Sequence, residues 1–203
     1  SLQNGTVELI SPEGSTDKRY YLATGQHPKK HFVSDQFVLV ETSSNSGSTK
    51  ELEVFYKASA GNYDKVNIGF EIVEAFFNDA GNFDLFVNQN GKSKLVEYSI
   101  SGRILTERQS ILNDSISNVV KISNNEFIVS SGSTLYKFKK SSGNAFQYIH
   151  GKQASDILYE PLSEELYVAT QNNLHIYDYS SAIEKRSYST AEPIIKILPL
   201  YNY

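Results

Sequence analysis

Two aspartates, two asparagines and a glycine stand within Asn78-Asp79-Ala80-Gly81-Asn82-Phe83-Asp84, and hard oxygens this close together are what a calcium ion gathers. A calcium loop also needs six or more oxygens and a bidentate Glu, and no Glu occupies that place. The stretch reads better as a tight turn, Asn78 to Asn82, feeding an alternating strand, Phe83 to Val87. His27 and His31 have the i, i+4 spacing of a zinc helix, but Pro28 lies between them and Pro-Lys-Lys offers no acidic base, so a polar loop is expected. Glu164-Glu165 and the pair Asp79 and Asp84 are the nearest approach to the two carboxylates of glycoside hydrolysis. Each falls in or beside a turn, where solvated charges are the rule. His175, between Leu174 and Ile176 on an alternating strand, is expected to face solvent.

Other catalytic signatures are missing. There is no Gly-x-Ser-x-Gly elbow and no phosphate-cradling glycine loop, and Ser43 to Lys50 lacks the Gly-Lys-Ser/Thr order of a P-loop. No catalytic residue, metal site or cofactor is therefore assigned. A net charge of −4 and a pI of about 5.6 argue against a nucleic-acid partner. The basic pairs Lys29-Lys30, Lys139-Lys140 and Lys185-Arg186 read as isolated solvated faces. Cysteine is absent, which removes disulfides and thiolate chemistry and leaves the compartment open, with a lean to the inside of the cell. No apolar run is long enough for a bilayer, so membrane insertion is not expected. A chain without Met that starts at Ser1 reads as a processed or excised segment.

Strands and turns must hold these residues. Ser, Asn and Tyr are plentiful, and no stretch keeps a helical apolar period over three turns. Residues 93–107, the nearest candidate, alternate through Val96, Tyr98 and Ile100 and are broken by Gly102, which predicts strand, turn, strand. Three segments then repeat. Leu85, Phe127 and Leu166 align, with Val87, Val129 and Val168 two residues later; Leu95, Leu135 and Leu174 align next, 40 and 39 residues apart. Each of these leucines precedes an aromatic by three residues: Tyr98, Phe138 and Tyr177. A weaker copy supplies Phe37, Val40, Leu52 and Phe55. A period near 40 with four strands per unit is the mark of a β-propeller blade, whose two apolar faces must each stack on a neighbour. The chain is thus expected to be all-β, a propeller with about four to five four-stranded blades, either incomplete or part of a larger ring. One domain, or a fragment of one, covers residues 1–203, with repeats near 20–65, 66–112, 116–152 and 154–190, and residues 194–203 as the first strand of a further blade.

The third unit resembles a WD repeat. Tyr177-Asp178 stand where that family has Trp-Asp, His150 matches the histidine of its Gly-His pair, and Thr170 could be its second-strand hydroxyl. The resemblance implies a buried hydrogen-bond relay among these residues, structural rather than catalytic. The chain departs from the pattern: Ile149 replaces Gly, Asn172 and Asn173 occupy the turn, the other units carry Tyr98-Ser99 and Phe138-Lys139, and Trp is absent. The turn-and-strand segments are equally similar to other propellers, including those with NHL-type repeats.

Thr6 to Ile10 and Arg19 to Thr24 are expected as the outer strand of the last blade and the inner strand of the first. The unfinished blade would then accept strands from a protein partner. The expected role is a non-enzymatic protein–protein interaction scaffold. Its partner-binding residues would lie on the loops between second and third strands: Asn88, Lys92, Lys94, Ser131, Thr134, Gln171 and Asn172. The alternative is an extracytoplasmic propeller that binds or cleaves a carbohydrate or peptide, for which Asn4-Gly5-Thr6 and Asn113-Asp114-Ser115 are candidate glycosylation sites.

Overall fold

The computed structural model describes residues 5–10, 16–23, 25–44, 47, 49–59 and 62–198. Among these, every regular element is a strand. The first two strands, β1 (Thr6–Ile10) and β2 (Thr16–Tyr21), pair with each other as a separate hairpin. Four antiparallel sheets of four strands follow. The first holds β3 (Gln26–Val33), β4 (Phe37–Ser44), β5 (Lys50–Tyr56) and β6 (Asn62–Ile68); the second holds β7 (Glu71–Phe77), β8 (Phe83–Gln89), β9 (Lys92–Ser99) and β10 (Ile104–Leu112). The third holds β11 (Asn118–Lys121), β12 (Glu126–Ser131), β13 (Thr134–Lys139) and β14 (Asn144–His150); the fourth holds β15 (Asp156–Glu160), β16 (Glu165–Ala169), β17 (Asn173–Asp178) and β18 (Glu184–Ser189).

Alternation explains how the sheets stack. Side chains of period two divide each strand between the preceding and the following sheet. Leu85, Val87 and Tyr98 pack with Leu39, Leu52 and Val54 of the first sheet. Phe127, Val129 and Phe138 hold the places of Phe83, Leu85 and Tyr98 one sheet on, so the alignment of Leu85 with Phe127 is corrected by two residues, and they pack against Phe86 and Leu95. Leu166, Val168 and Tyr177 repeat the arrangement against Ile128 and Leu135. The β1–β2 hairpin covers the outer face of the first sheet through Val7 and Tyr20, which meet Val38, Val40 and Phe55. First strands β3, β7, β11 and β15 lie side by side in chain order. No buried apolar cluster joins β1–β2 to the fourth sheet among the described residues.

The turn from β7 to β8 settles the opening ambiguity. Asn78, buried, accepts the Ala80 and Asn82 N–H groups on Oδ1 at 3.0 and 3.1 Å, and its Nδ2 donates to Asp84 at 3.0 Å. Gly81 takes φ of +76°, a left-handed conformation that suits glycine. The oxygens are spent on tying the turn.

Several expectations are corrected. Asp84 is not solvated: it is 1% exposed and bridged by Lys140 of the third sheet at 2.7 Å. Lys140 is accordingly no idle surface charge, and Lys185 and Arg186 both pair with buried Glu165. His27 and His31 lie on β3 rather than on a loop. Residues 19–23 belong to the β1–β2 hairpin, so the first sheet begins at Gln26. In that sheet Val38, not Phe37, shares the face of Val40, because Phe37 points with Leu39 into the next sheet. Residues 190–198 form no strand. The relay implied by the WD resemblance is absent: His150 is exposed and meets Thr134 at 3.0 Å, Thr170 bonds the Asn173 carbonyl, and Asp178 ties its own turn through Ser180 and Ser181. His150 belongs to the sheet before that of Asp178 and Thr170. Asn4 and residues 199–203 lie outside the described residues, as does part of the tip between Ser43 and Lys50.

Candidate functional site

The β16–β17 hairpin turns at Thr170–Asn173, where Thr170 N–H and Oγ1–H both close on the Asn173 carbonyl, at 2.8 and 3.2 Å. Beside it runs the link from β14 to β15, Gly151 to Ser155, and beyond it the segment Pro193 to Ile195. These three pieces enclose a groove of about 910 Å³. Amide side chains dominate its polar wall: Gln153, Gln171, Asn172 and Asn173. Such groups offer donors and acceptors without charge, which matches the needs of a polypeptide main chain.

One wall is itself a piece of main chain held in this way. Ile194 N–H donates to the Gln171 carbonyl at 2.9 Å, and Ser155 Oγ–H donates to the Ile194 carbonyl at 2.9 Å. Farther along, Asp156 accepts from Ile197 N–H at 2.7 Å and from Lys196 at 3.2 Å. The rim of the fourth sheet thus already grips 194–197 through backbone groups.

A charged network floors the groove. His175 is 9% exposed, not solvent-facing as its neighbours Leu174 and Ile176 imply, because its parity matches Tyr177 and turns it toward the third sheet. Its Nδ1 lies 3.1 Å from Glu184 Oε1, while Tyr177 Oη–H donates to Glu184 Oε2 at 3.1 Å. The bond to His175, with help from Tyr177 and Lys152, holds the Glu184 carboxyl below its usual range. Burial, reinforced by Glu184, pushes the Tyr177 phenol up. An imidazole set by a carboxylate suggests a triad, but a triad needs a nucleophile on the other ring nitrogen. Lys152 Nζ stands instead 3.3 and 3.4 Å from the two ring nitrogens. The arrangement fastens the Gly151–Ser155 link to the fourth sheet.

Of the residues expected to bind a partner, Gln171 and Asn172 line the groove. The others lie not on the expected loops but at strand ends of the second and third sheets: Asn88 on β8, Lys92 and Lys94 on β9, Ser131 on β12 and Thr134 on β13. Asn88 exchanges two bonds with Ile116, at 2.8 and 2.9 Å; Ser131 donates to the Ser115 carbonyl at 2.8 Å; Thr134 meets His150. Lys94 pairs with Glu107 at 2.9 Å, and Lys92 is exposed. Lys152, Ser155 and Glu184 carry no motif, so only the repeat register could have pointed to them.

No family model and no curated protein sequence matches the chain. Solved structures do. A functionally unknown protein from Desulfotomaculum acetoxidans DSM 771 superposes with a TM-score of 0.70 at 11% identity, over 94% of this chain and 66% of its own. The Dos1 propeller superposes with a TM-score of 0.65 at 10% identity, over 94% of this chain and 55% of its own. The chain therefore spans just under two thirds and just over half of these two structures. At such identity the likeness speaks for architecture alone. Four stacked four-stranded sheets, a hairpin against the first of them, and similarity to a known propeller give this chain a β-propeller fold.

Proposed function

We propose that the chain is a non-enzymatic interaction module that takes up a length of a partner protein's main chain in the groove between Gly151–Ser155 and Thr170–Asn173. The observation that supports this reading is the grip on Ile194 and Ile197, in which the Gln171 carbonyl, the Ser155 hydroxyl and the Asp156 carboxylate of the rim bond backbone groups of a passing chain. Recognition through main-chain bonds, with side-chain pockets adding selectivity, is a general mode of peptide capture. The partner would continue over the far face of the fourth sheet. There Leu174 is half-buried, whereas Leu95 and Leu135, its counterparts, are fully buried beneath a following sheet.

Affinity capture from the source cell tests the reading. Gln153 and Gln171 are both exposed on the groove wall, so a Gln153→Ala/Gln171→Ala variant keeps the fold. Partner recovery should fall with the double variant while its melting temperature stays at the parent value. Undiminished recovery would place the interaction elsewhere on the molecule.

A further inference from the structure

A second crevice, of about 280 Å³, opens on the same loop side between the first and second sheets, lined by Lys29, Lys30, Glu41, Ser43, Lys50 and Glu71. Its floor contains Glu41, which is 3% exposed. Glu41 lies on the face of the first sheet that meets the next sheet, as Asn88 does on the second. Asn88 spends both amide atoms on Ile116, donating and accepting. A carboxylate cannot donate. At Glu41 the work is divided: the Ile72 N–H bonds the carboxylate, while the Ile72 carbonyl is taken by Lys30 Nζ at 2.8 Å. Glu41 Oε2 is left buried with no hydrogen-bond partner among the described residues.

A buried carboxylate oxygen without a donor is costly and points to something that supplies one. Around it the crevice carries three lysines against two glutamates, and Lys30 is already tied to Glu71 at 3.2 Å. The site thus lacks a hydrogen-bond donor at its floor and an anion at its mouth. We propose that this crevice binds a small acid bearing a donor group, an amino acid or hydroxy acid, whose ammonium or hydroxyl meets Glu41 Oε2 and whose carboxylate meets Lys29 and Lys50. Burial, the leading influence on Glu41, raises its carboxyl above the usual range, and an incoming ammonium would reverse that penalty. This site is separate from the peptide groove and stands or falls independently of it.

Titration calorimetry of the whole chain tests the proposal with glycine and glutamate as amino acids, lactate and malate as hydroxy acids, and acetate as an acid lacking the donor. Binding of one of the first two pairs, with acetate silent, is expected; which pair binds identifies the donor as ammonium or hydroxyl. Glu41→Gln, which keeps shape and removes the charge, should weaken binding roughly tenfold or more, and exposed Lys50→Ala should weaken it as well. Silence from all five probes, binding of acetate equal to the rest, or affinity unchanged in Glu41→Gln would each overturn it.

Discussion

Lys140 reaches from the third sheet to Asp84 of the second, and the two oxygens it contacts, at 2.8 and 2.7 Å, belong to a carboxylate that also accepts from Asn78. Removing one partner of such a pair costs more than the pair is worth, because the other charge stays buried. Lys140→Ala should therefore destabilise the chain by about 2 to 4 kcal/mol in urea denaturation, against less than about 0.5 kcal/mol for exposed Lys139→Ala. Glu41 makes the opposite case. Burial raises its carboxyl in the folded chain, so the native state binds the proton more readily than the unfolded state does. Stability from this group is greatest below the ordinary carboxylate range and is lost as pH rises through the raised folded value. Glu41→Gln removes that loss: its gain in melting temperature over the parent should be larger at pH 8 than at pH 4. An equal gain at both would assign the effect to packing.

Hairpins and faces belong to the next scale, and here the residues spoke unevenly. Asn90-Gly91 joins β8 to β9 with φ of +51° and +75°, the paired left-handed geometry that matches strand twist. A side chain at Gly91 would meet nothing within 4 Å, so Gly91→Ala carries a backbone penalty alone, about 1 kcal/mol in a thermal melt. The column Leu95, Leu135, Leu174 was legible because alternation and repetition state the same thing twice, whereas Leu85 was placed on the right face but two residues past Phe83, the true counterpart of Phe127 and Leu166. The first sheet was off by one residue at Phe37, since it has a single weak copy to align and bulges in its β3–β4 and β5–β6 pairings. His175 misled because its two apolar neighbours face away from the third sheet while the histidine faces toward it. The groove, the crevice and the Lys140 bridge were beyond reading: each joins residues from different sheets, and spacing along a chain does not report which sheets adjoin. Gln171 and Asn172 could be found because the groove rim is one of the hairpin loops that the repeat exposes.

A stack in which each sheet touches only its neighbours behaves as a nearly one-dimensional array, with stability set by the seams. The seam between the second and third sheets is aromatic, with Phe127 4.8 Å from Phe86 and 6.4 Å from Phe138 between ring centroids. Both of those sheets are covered on two faces, whereas β18 is exposed along its whole length. Amide exchange should follow this order: slowest in β8, β9, β12 and β13, fastest in β18. Phe127→Ala opens a cavity in the central seam at a cost of about 3 to 5 kcal/mol. Were the seams independent, the variant would lose protection in the second and third sheets while the first, backed by Val7 and Tyr20, kept its own. A single cooperative core would lose protection in all four sheets by the same factor. The array picture predicts the first pattern, and uniform loss measured by exchange across β3 to β18 would reject it.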